Sequence, residues 1–238
     1  MTWSIVARDQ DGSFGVAVAS KFFAVGAVCP FARSAVGALS TQALVNPLYG
    51  LRALDLLAKG IAPADVLTAL VAPDPGRDQR QVHLVDALGR AAAHTGPFCI
   101  DWAGHVVGER FSVAGNMLAG PAVVEETASA YAREKERPFA ERLIAALAAG
   151  ETAGGDKRGK QAAALLVCTT EDYPMLDLRV DDHEEPLVEL RRLYEKSLER
   201  FQPFLACMPS RDRPAGVLDR AIIEVEIERF QAARARSG

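Results

Sequence analysis

Apolar and polar positions set out an ordered series of elements. Thr2 to Arg8 is rich in strand-forming residues, Asp9-Gln-Asp-Gly12 supplies turn chemistry, and Phe14 to Ser20 returns as a second strand. The small-residue run Gly15 to Val18 reads as a strand buried on both faces. Further strand-like sequence lies at Ala24–Cys29 and Arg33–Ser40. Asn46-Pro47 is a helix start, an N-cap followed by proline at the first helical position. Leu51, Leu54, Leu57 and Ala58 continue at helical spacing until Gly60. A second helix is predicted over Pro63–Val71, with a proline- and charge-rich loop after it.

A second block of strands follows at Gln81–Asp86 and Arg90–His94, with shorter candidates at Val106–Arg110 and Phe111–Ala114. Gly120-Pro121 opens a helix to about Glu136, and Pro138–Ala149 forms another, closed by Gly150. Gln161–Thr169 and Met175–Val180 read as strands. Pro186–Phe201 is amphipathic, with Leu187, Leu190, Tyr194, Leu198 and Phe201 along one stripe, and Val217 to about Arg234 reads as helix. Strand blocks alternating with helix pairs do not suit a parallel βαβ protein. They predict an α+β fold, a four-layer αββα sandwich of two mostly antiparallel sheets. It occupies residues 1–201, and the helical tail over 202–238 serves docking or dimerisation.

Composition narrows the classes without naming a chemistry. The 238 residues are 49% hydrophobic and 24% charged, enough for a sizeable core. A net charge of −4 gives no basic footprint for nucleic acid. No run reaches the roughly 18 apolar residues of a membrane span, and no secretory signal opens the chain. Cys29, Cys99, Cys168 and Cys207 lie far apart without a CxxC, as buried thiols would in a cytoplasmic protein.

Thr2 is the residue with a chemical reading of its own. Removal of Met1 would leave a terminal threonine whose hydroxyl and α-amine lie a few ångströms apart. An amine of pKa near ~7.7–8 serves as general base at neutral pH. The competing reading is an idle, frayed terminus. Ser4 shares a strand face with Thr2. Gln42, Asn46 and Tyr49 cluster at a strand-to-helix junction, either facing a pocket or, for Asn46, as a plain N-cap. His94 is either a substrate contact or an ordinary hydrogen-bonded histidine. Gly115-Asn116 is either a turn or the source of an amide donor to an oxyanion. Asp156 and Arg158 in the loop Gly154–Gly159 either meet a substrate carboxylate or form an ion pair within the loop. Asp177, Asp181, Asp182 and His183 form the one cluster that could attract a metal, and also read as an acidic helix N-terminus. No GxSxG elbow, HExxH or GxxxxGK[ST] occurs.

The segments TWSIVARD, GVAVASKFFAVGAVCPFARSAVGALSTQALVNPLYG, VHLVDALGRAAAHTG, FSVAGNMLAG, GGDKRGKQAAALLV and LDLRVDDHEEP resemble the DUF1028 family of N-terminal-nucleophile (Ntn) hydrolase type, over residues 2 to about 195. The resemblance implies the αββα fold, an N-terminus without a long propeptide, and amide hydrolysis of unassigned substrate. The first forty residues also resemble the start of a proteasome β-subunit. There Thr2 matches the nucleophile, Ser20 falls near an acidic position and Arg33 near a lysine. A guanidinium near the amine would act electrostatically, without shuttling a proton.

Three functions compete on these residues. The first is an amidohydrolase acting on a small amide through Thr2, with Arg33 and Asn116 assisting. Ser4, Ser20, Gln42, Asn46, Tyr49, His94, Asp156 and Arg158 would contact the substrate, and no cofactor or metal is required. The second is a non-catalytic small-molecule binding protein using the same cleft, which would tolerate Thr2→Ala. The third is a metal-assisted hydrolase using Asp177, Asp181, Asp182 and His183, which a chelator would silence. Ile222, Val225 and Phe230, near helical spacing, suggest a homodimer.

Overall fold

Two antiparallel sheets face each other in the computed structural model, which describes residues 2–237. The six-stranded sheet has the order β10-β9-β2-β1-β8-β7. Its strands are β1 (Thr2–Arg8), β2 (Phe14–Ser20), β7 (Gly104–Gly108), β8 (Phe111–Asn116), β9 (Ala162–Cys168) and β10 (Leu176–Val180). The four-stranded sheet runs β3-β4-β5-β6, from Pro30–Arg33, Gly37–Ala43, Arg80–Asp86 and Ala91–Thr95. Helices α1 (Leu48–Ala58) and α2 (Pro63–Val71) cover the smaller sheet. Helices α3 (Ala122–Arg133) and α4 (Phe139–Thr152) cover the larger one. The predicted four-layer αββα sandwich is what forms.

Strand alternation divides the side chains between layers. On β1, Trp3 faces α4, where its indole approaches Gly150, while Ser4 and Val6 point between the sheets. On β5, Val82 and Leu84 enter the outer core with Leu39, Leu54, Leu57, Val66 and Leu70. Gln81, His83 and Val85 point inward. The inter-sheet layer is apolar at one end, where Val6, Phe14, Val16, Ala38 and Val85 cluster. At the Thr2 end it is polar.

Local expectations differ from the structure at four places. Arg33–Ser40 is not one strand: a turn over 34–36, with Ala35 at a left-handed φ of 58°, separates β3 from β4. Ala24–Cys29 is not a strand: Ala24 takes a left-handed φ of 52°, and a short 3-10 turn follows at Val25–Ala27. Gly150 does not close its helix but lies inside α4. A Cβ there would stand 2.2 Å from Thr127 Oγ1, so glycine is what lets α4 approach α3 and β1. Gly115-Asn116 is not a turn, because β8 runs through Asn116.

The chain divides into two compact units, the first ending at Leu190 and the second beginning at Arg191. In the second, α6 (Phe201–Leu205) contacts α7 (Arg220–Ser237), and Arg200 pairs with Glu224 at 2.5 Å. The helix α5 (Pro186–Glu199) spans the division. On α7, Ile227 is buried while Ile222, Val225 and Phe230 are exposed. Among the described residues no helix is long and apolar enough to cross a membrane.

Candidate active site

Thr2 is an ordered, buried residue held on both sides by its sheet. It stands opposite Ser20 on β2 and opposite Asn116 on β8. Its Oγ1 lies 3.0 Å from Ser20 Oγ. Its carbonyl oxygen is approached by the amide nitrogens of Gln42 and Asn116, each at 3.4 Å. Central strand pairing therefore replaces the fraying expected of a chain end.

Behind Thr2 a hydrogen-bonded network fills the space between the sheets. Gln42 Nε2 reaches Gln81 Oε1 at 2.8 Å and the Ala114 carbonyl at 3.1 Å. Gln42 Oε1 accepts from Ser4 Oγ at 2.6 Å and from Ser40 Oγ at 3.1 Å. Gln81 donates to Thr95 Oγ1 (2.9 Å) and to the carbonyls of Gly104 (3.1 Å) and Gly115 (2.8 Å), and accepts from Asn116 Nδ2 at 3.1 Å. His83 lies between Ser4 (2.7 Å) and Ser112 (2.8 Å). Ser4 gives its single proton to Gln42, which assigns the imidazole proton to Nε2 and leaves Nδ1 to accept from Ser112. Buried polar groups are tolerated when each has a partner, and here they lock one another's rotamers.

His83 is a neutral histidine. Burial, with a smaller contribution from the His105 charge, holds its pKa down at about 3, against an opposing bond with the Ser112 backbone. A folded-state value below the unfolded one near ~6.5 contributes stability that is complete above pH ~6.5 and is lost as pH falls toward 3. We expect the wild type to lose about 2 kcal/mol from this group between pH 7 and pH 5. Urea titrations should show this loss relative to His83→Gln, and equal slopes for the two proteins would refute it.

Two openings lie at this end of the sandwich and share Ala43 in their walls, and Thr2 lines the smaller. One, of about 40 Å³, lies against Thr2 and Gln42 with walls from Phe22, Val25 and Val28. The other, of about 170 Å³, lies beside Asn116 and is walled by Leu44, Phe98, Ile100 and Met117. Phe22, Leu44, Phe98 and Ile100 remain largely exposed at the rim. Ala43 and Met117 take left-handed backbone angles, φ 68° and 56°. Each costs of order 1 kcal/mol in a non-glycine residue, and such strain gathers at functional sites. Cys29 lines the smaller opening, but burial pushes its thiol up to about 12, far from a reactive thiolate.

The other sequence candidates lie elsewhere. Arg33 is not beside Thr2. It pairs with Gly37, five residues along β4 from Gln42, which is about 17 Å at the rise of an extended strand. Its guanidinium binds Asp55 of α1 at 3.1 Å. Asn116 does not offer a free donor to an oxyanion, because its amide is committed to the Thr2 carbonyl and Gln81. Asn46 and Tyr49 turn away to Asp74, at 3.4 Å and 2.6 Å. Asn46 Oδ1 also accepts from the Leu48 N–H, as a capping residue does. Bonds from Tyr49, Arg80 and the Gly76 amide hold the Asp74 carboxyl well below the usual range, and fasten the loop after α2 to the start of β5. His94 pairs with the outward-facing Val82, so its ring leaves the inter-sheet space and meets the Arg77 carbonyl at 3.1 Å.

Asp156 and Arg158 pair with each other at 3.3 Å within their loop. Asp156 also accepts from the backbone of Lys21 (2.8 Å), bracing the residue after Ser20. Among the described residues no three His, Cys, Asp or Glu side chains gather as a metal site. In the predicted acidic cluster, Asp181 binds Arg179, Asp182 accepts from Gln161, and His183 accepts from the Glu185 N–H. Ser40, Gln81, His83 and Ser112 escaped the sequence reading. Their one signal was polar residues at alternate positions of strands whose other residues are apolar.

Fold and site together define a two-sheet α+β sandwich with a polar cluster between its sheets, at the start of a central strand. The model of the family of unknown function DUF1028 matches residues 2–190, and the chain belongs to that family. Its structure is similar to that of protein SPO2555 from Silicibacter pomeroyi, also of DUF1028, with 32% identity, a TM-score of 0.85, and coverage of 92% of this chain and 96% of that one. Anbu (ancestral beta-subunit) from Yersinia bercovieri aligns with 12% identity and a TM-score of 0.37, over 87% of this chain and 98% of that one. No curated protein matches the chain.

Proposed function

We propose that the protein is an Ntn-type amidohydrolase in which Thr2, freed of Met1, is the nucleophile. The observation that carries this reading is the placement of Thr2. It is buried at the start of a central strand, with its hydroxyl on Ser20, its carbonyl between two amides and a small opening against it. Thr2 Oγ1 attacks the substrate carbonyl and passes its proton to its own α-amine, which delivers it to the leaving nitrogen as the C–N bond breaks. Water then hydrolyses the resulting ester, with the amine again taking a proton and returning it to Thr2. Gln42 and Asn116 position the Thr2 backbone, and Ser20 orients the hydroxyl. Among the described residues no lysine, arginine or carboxylate lines either opening, which favours an uncharged group next to the scissile bond.

Intact-mass spectrometry during turnover of a library of small amides, lactams and activated esters tests the reading. The expected result is a chain lacking Met1 that gains an acyl mass, mapped to the peptide beginning at Thr2. Full activity from a chain that quantitatively keeps Met1 would overturn it, and so would an acyl group on another residue. A binding protein on the same cleft would instead show ligand-induced stabilisation with no adduct.

A further inference from the structure

The strand that begins at Thr2 ends at Arg8, and there a third and larger cavity opens, of about 460 Å³. That volume falls in the range of pockets that hold small metabolites. Four cations line it, Arg8, Arg110, Lys135 and Arg142, against two acids, Asp9 and Glu109, so the lining charge is four minus two, or +2.

The inner wall is built and rigid. Arg142 is nearly buried, donates from Nε to the Tyr131 carbonyl at 2.8 Å, and lies 3.7 Å from the centroid of the Tyr131 ring. It also sits 3.6 Å from Asp9, which neutralises that acid. Arg8 donates from one terminal nitrogen to the Asp9 carbonyl at 3.3 Å, while its Nε is buried without a hydrogen-bond partner. Such an orphaned guanidinium N–H is costly unless something accepts from it. At the mouth, the side chains of Arg110 and Lys135 have no hydrogen bond or ion pair among the described residues. Fixed guanidinium groups around a concavity concentrate positive potential, and their planar forks match the oxygens of phosphate and carboxylate.

We propose that this cavity binds a small dianion bearing phosphate or carboxylate oxygens, at a site separate from Thr2. An oxyanion accepts from the orphaned Arg8 N–H, and Arg110 and Lys135 close over it from the mouth. Glu109, exposed at the rim, disfavours larger polyanions that would reach past the two outer cations.

The full chain serves for the test, with thermal unfolding and titration calorimetry in phosphate, pyrophosphate or succinate against sodium chloride of equal ionic strength. Arg110→Gln and Lys135→Gln are the variants, since neither side chain belongs to the core. The expected result is a saturable rise in Tm with at least one dianion beyond the chloride control. Each single variant should weaken binding about tenfold, and the double variant should abolish the shift. Preference for the phosphates would identify a phosphate-bearing ligand, and preference for succinate a dicarboxylate. Thr2→Ala should bind as the wild type does, because Thr2 stands at the other end of β1. No stabilisation beyond chloride would overturn the proposal, as would a shift retained in the double variant.

Discussion

Thr2→Ala should abolish amide turnover, by a factor on the order of 10⁴ or more, while leaving the protein folded. The substitution removes the attacking oxygen and nothing else that bears on catalysis. The α-amine, the strand pairing to Ser20 and Asn116, and the amides on the Thr2 carbonyl all survive it. Its cost to stability is one buried hydrogen bond, to Ser20 Oγ, or about 1 kcal/mol. Thr2→Ser keeps both hydroxyl and amine and should retain measurable activity, with a loss of about tenfold from the freer rotamer. Ser20→Ala keeps the nucleophile but loses its orienting partner, so turnover should fall about 10- to 100-fold. The series separates chemistry from folding, and a Thr2→Ala protein with wild-type kcat/KM on any confirmed substrate would end the nucleophile assignment.

Gln81→Ala should be among the most destabilising single changes in the chain, at about 3 kcal/mol. Gln81 is fully buried and serves five partners. Removing it strands the carbonyls of Gly104 and Gly115 and loosens the amides of Gln42 and Asn116. Each unsatisfied group costs about 1–3 kcal/mol, and water entering the vacated space recovers part of that. Gln81→Leu fills most of the volume with an apolar side chain and still satisfies none of the five. Urea denaturation of both variants therefore separates hydrogen bonding from packing. If Gln81→Leu were as stable as the wild type, the network would be mere filling. Because Gln42 and Asn116 also hold the Thr2 carbonyl, both variants should lose turnover in parallel with their misplaced nucleophile.

The layered fold was legible because its elements carry local signals. The hairpin from Thr2 to Ser20 was set by its turn residues, and α2 appeared with the same bounds in sequence and structure, its proline at the first turn. Irregular segments read less well. Ala24 to Cys29 is as apolar as a strand, yet a left-handed Ala24 and a 3-10 turn carry it across the mouth of the Thr2 site. Gly150 reads as a helix stop, but it marks the closest approach of α4 to Thr127 and Trp3. Sterics between elements distant in sequence decided both.

For the candidate site, the sequence by itself singled out Thr2, and Ser4 on the same strand face, since a strand from residue 2 has a period of two. It also brought Ser20, Gln42 and Asn116 forward as candidates. Tertiary structure alone decided their neighbours. Ser40, Gln81, His83 and Ser112 alternate with apolar residues as solvent-facing positions do. Alternation in one strand reports only that its two faces differ, not which face meets water. Packing a second sheet over that face turned an apparent surface into a buried network, and made His83 a neutral structural histidine. Arg33 ends its strand at the hairpin turn over 34–36, opposite Gly37, and the packing of α1 brings Asp55 to it. Thr2 stood out as a candidate because hydroxyl and amine would lie within one residue, whereas its surroundings come from five strands and exist only once both sheets have closed.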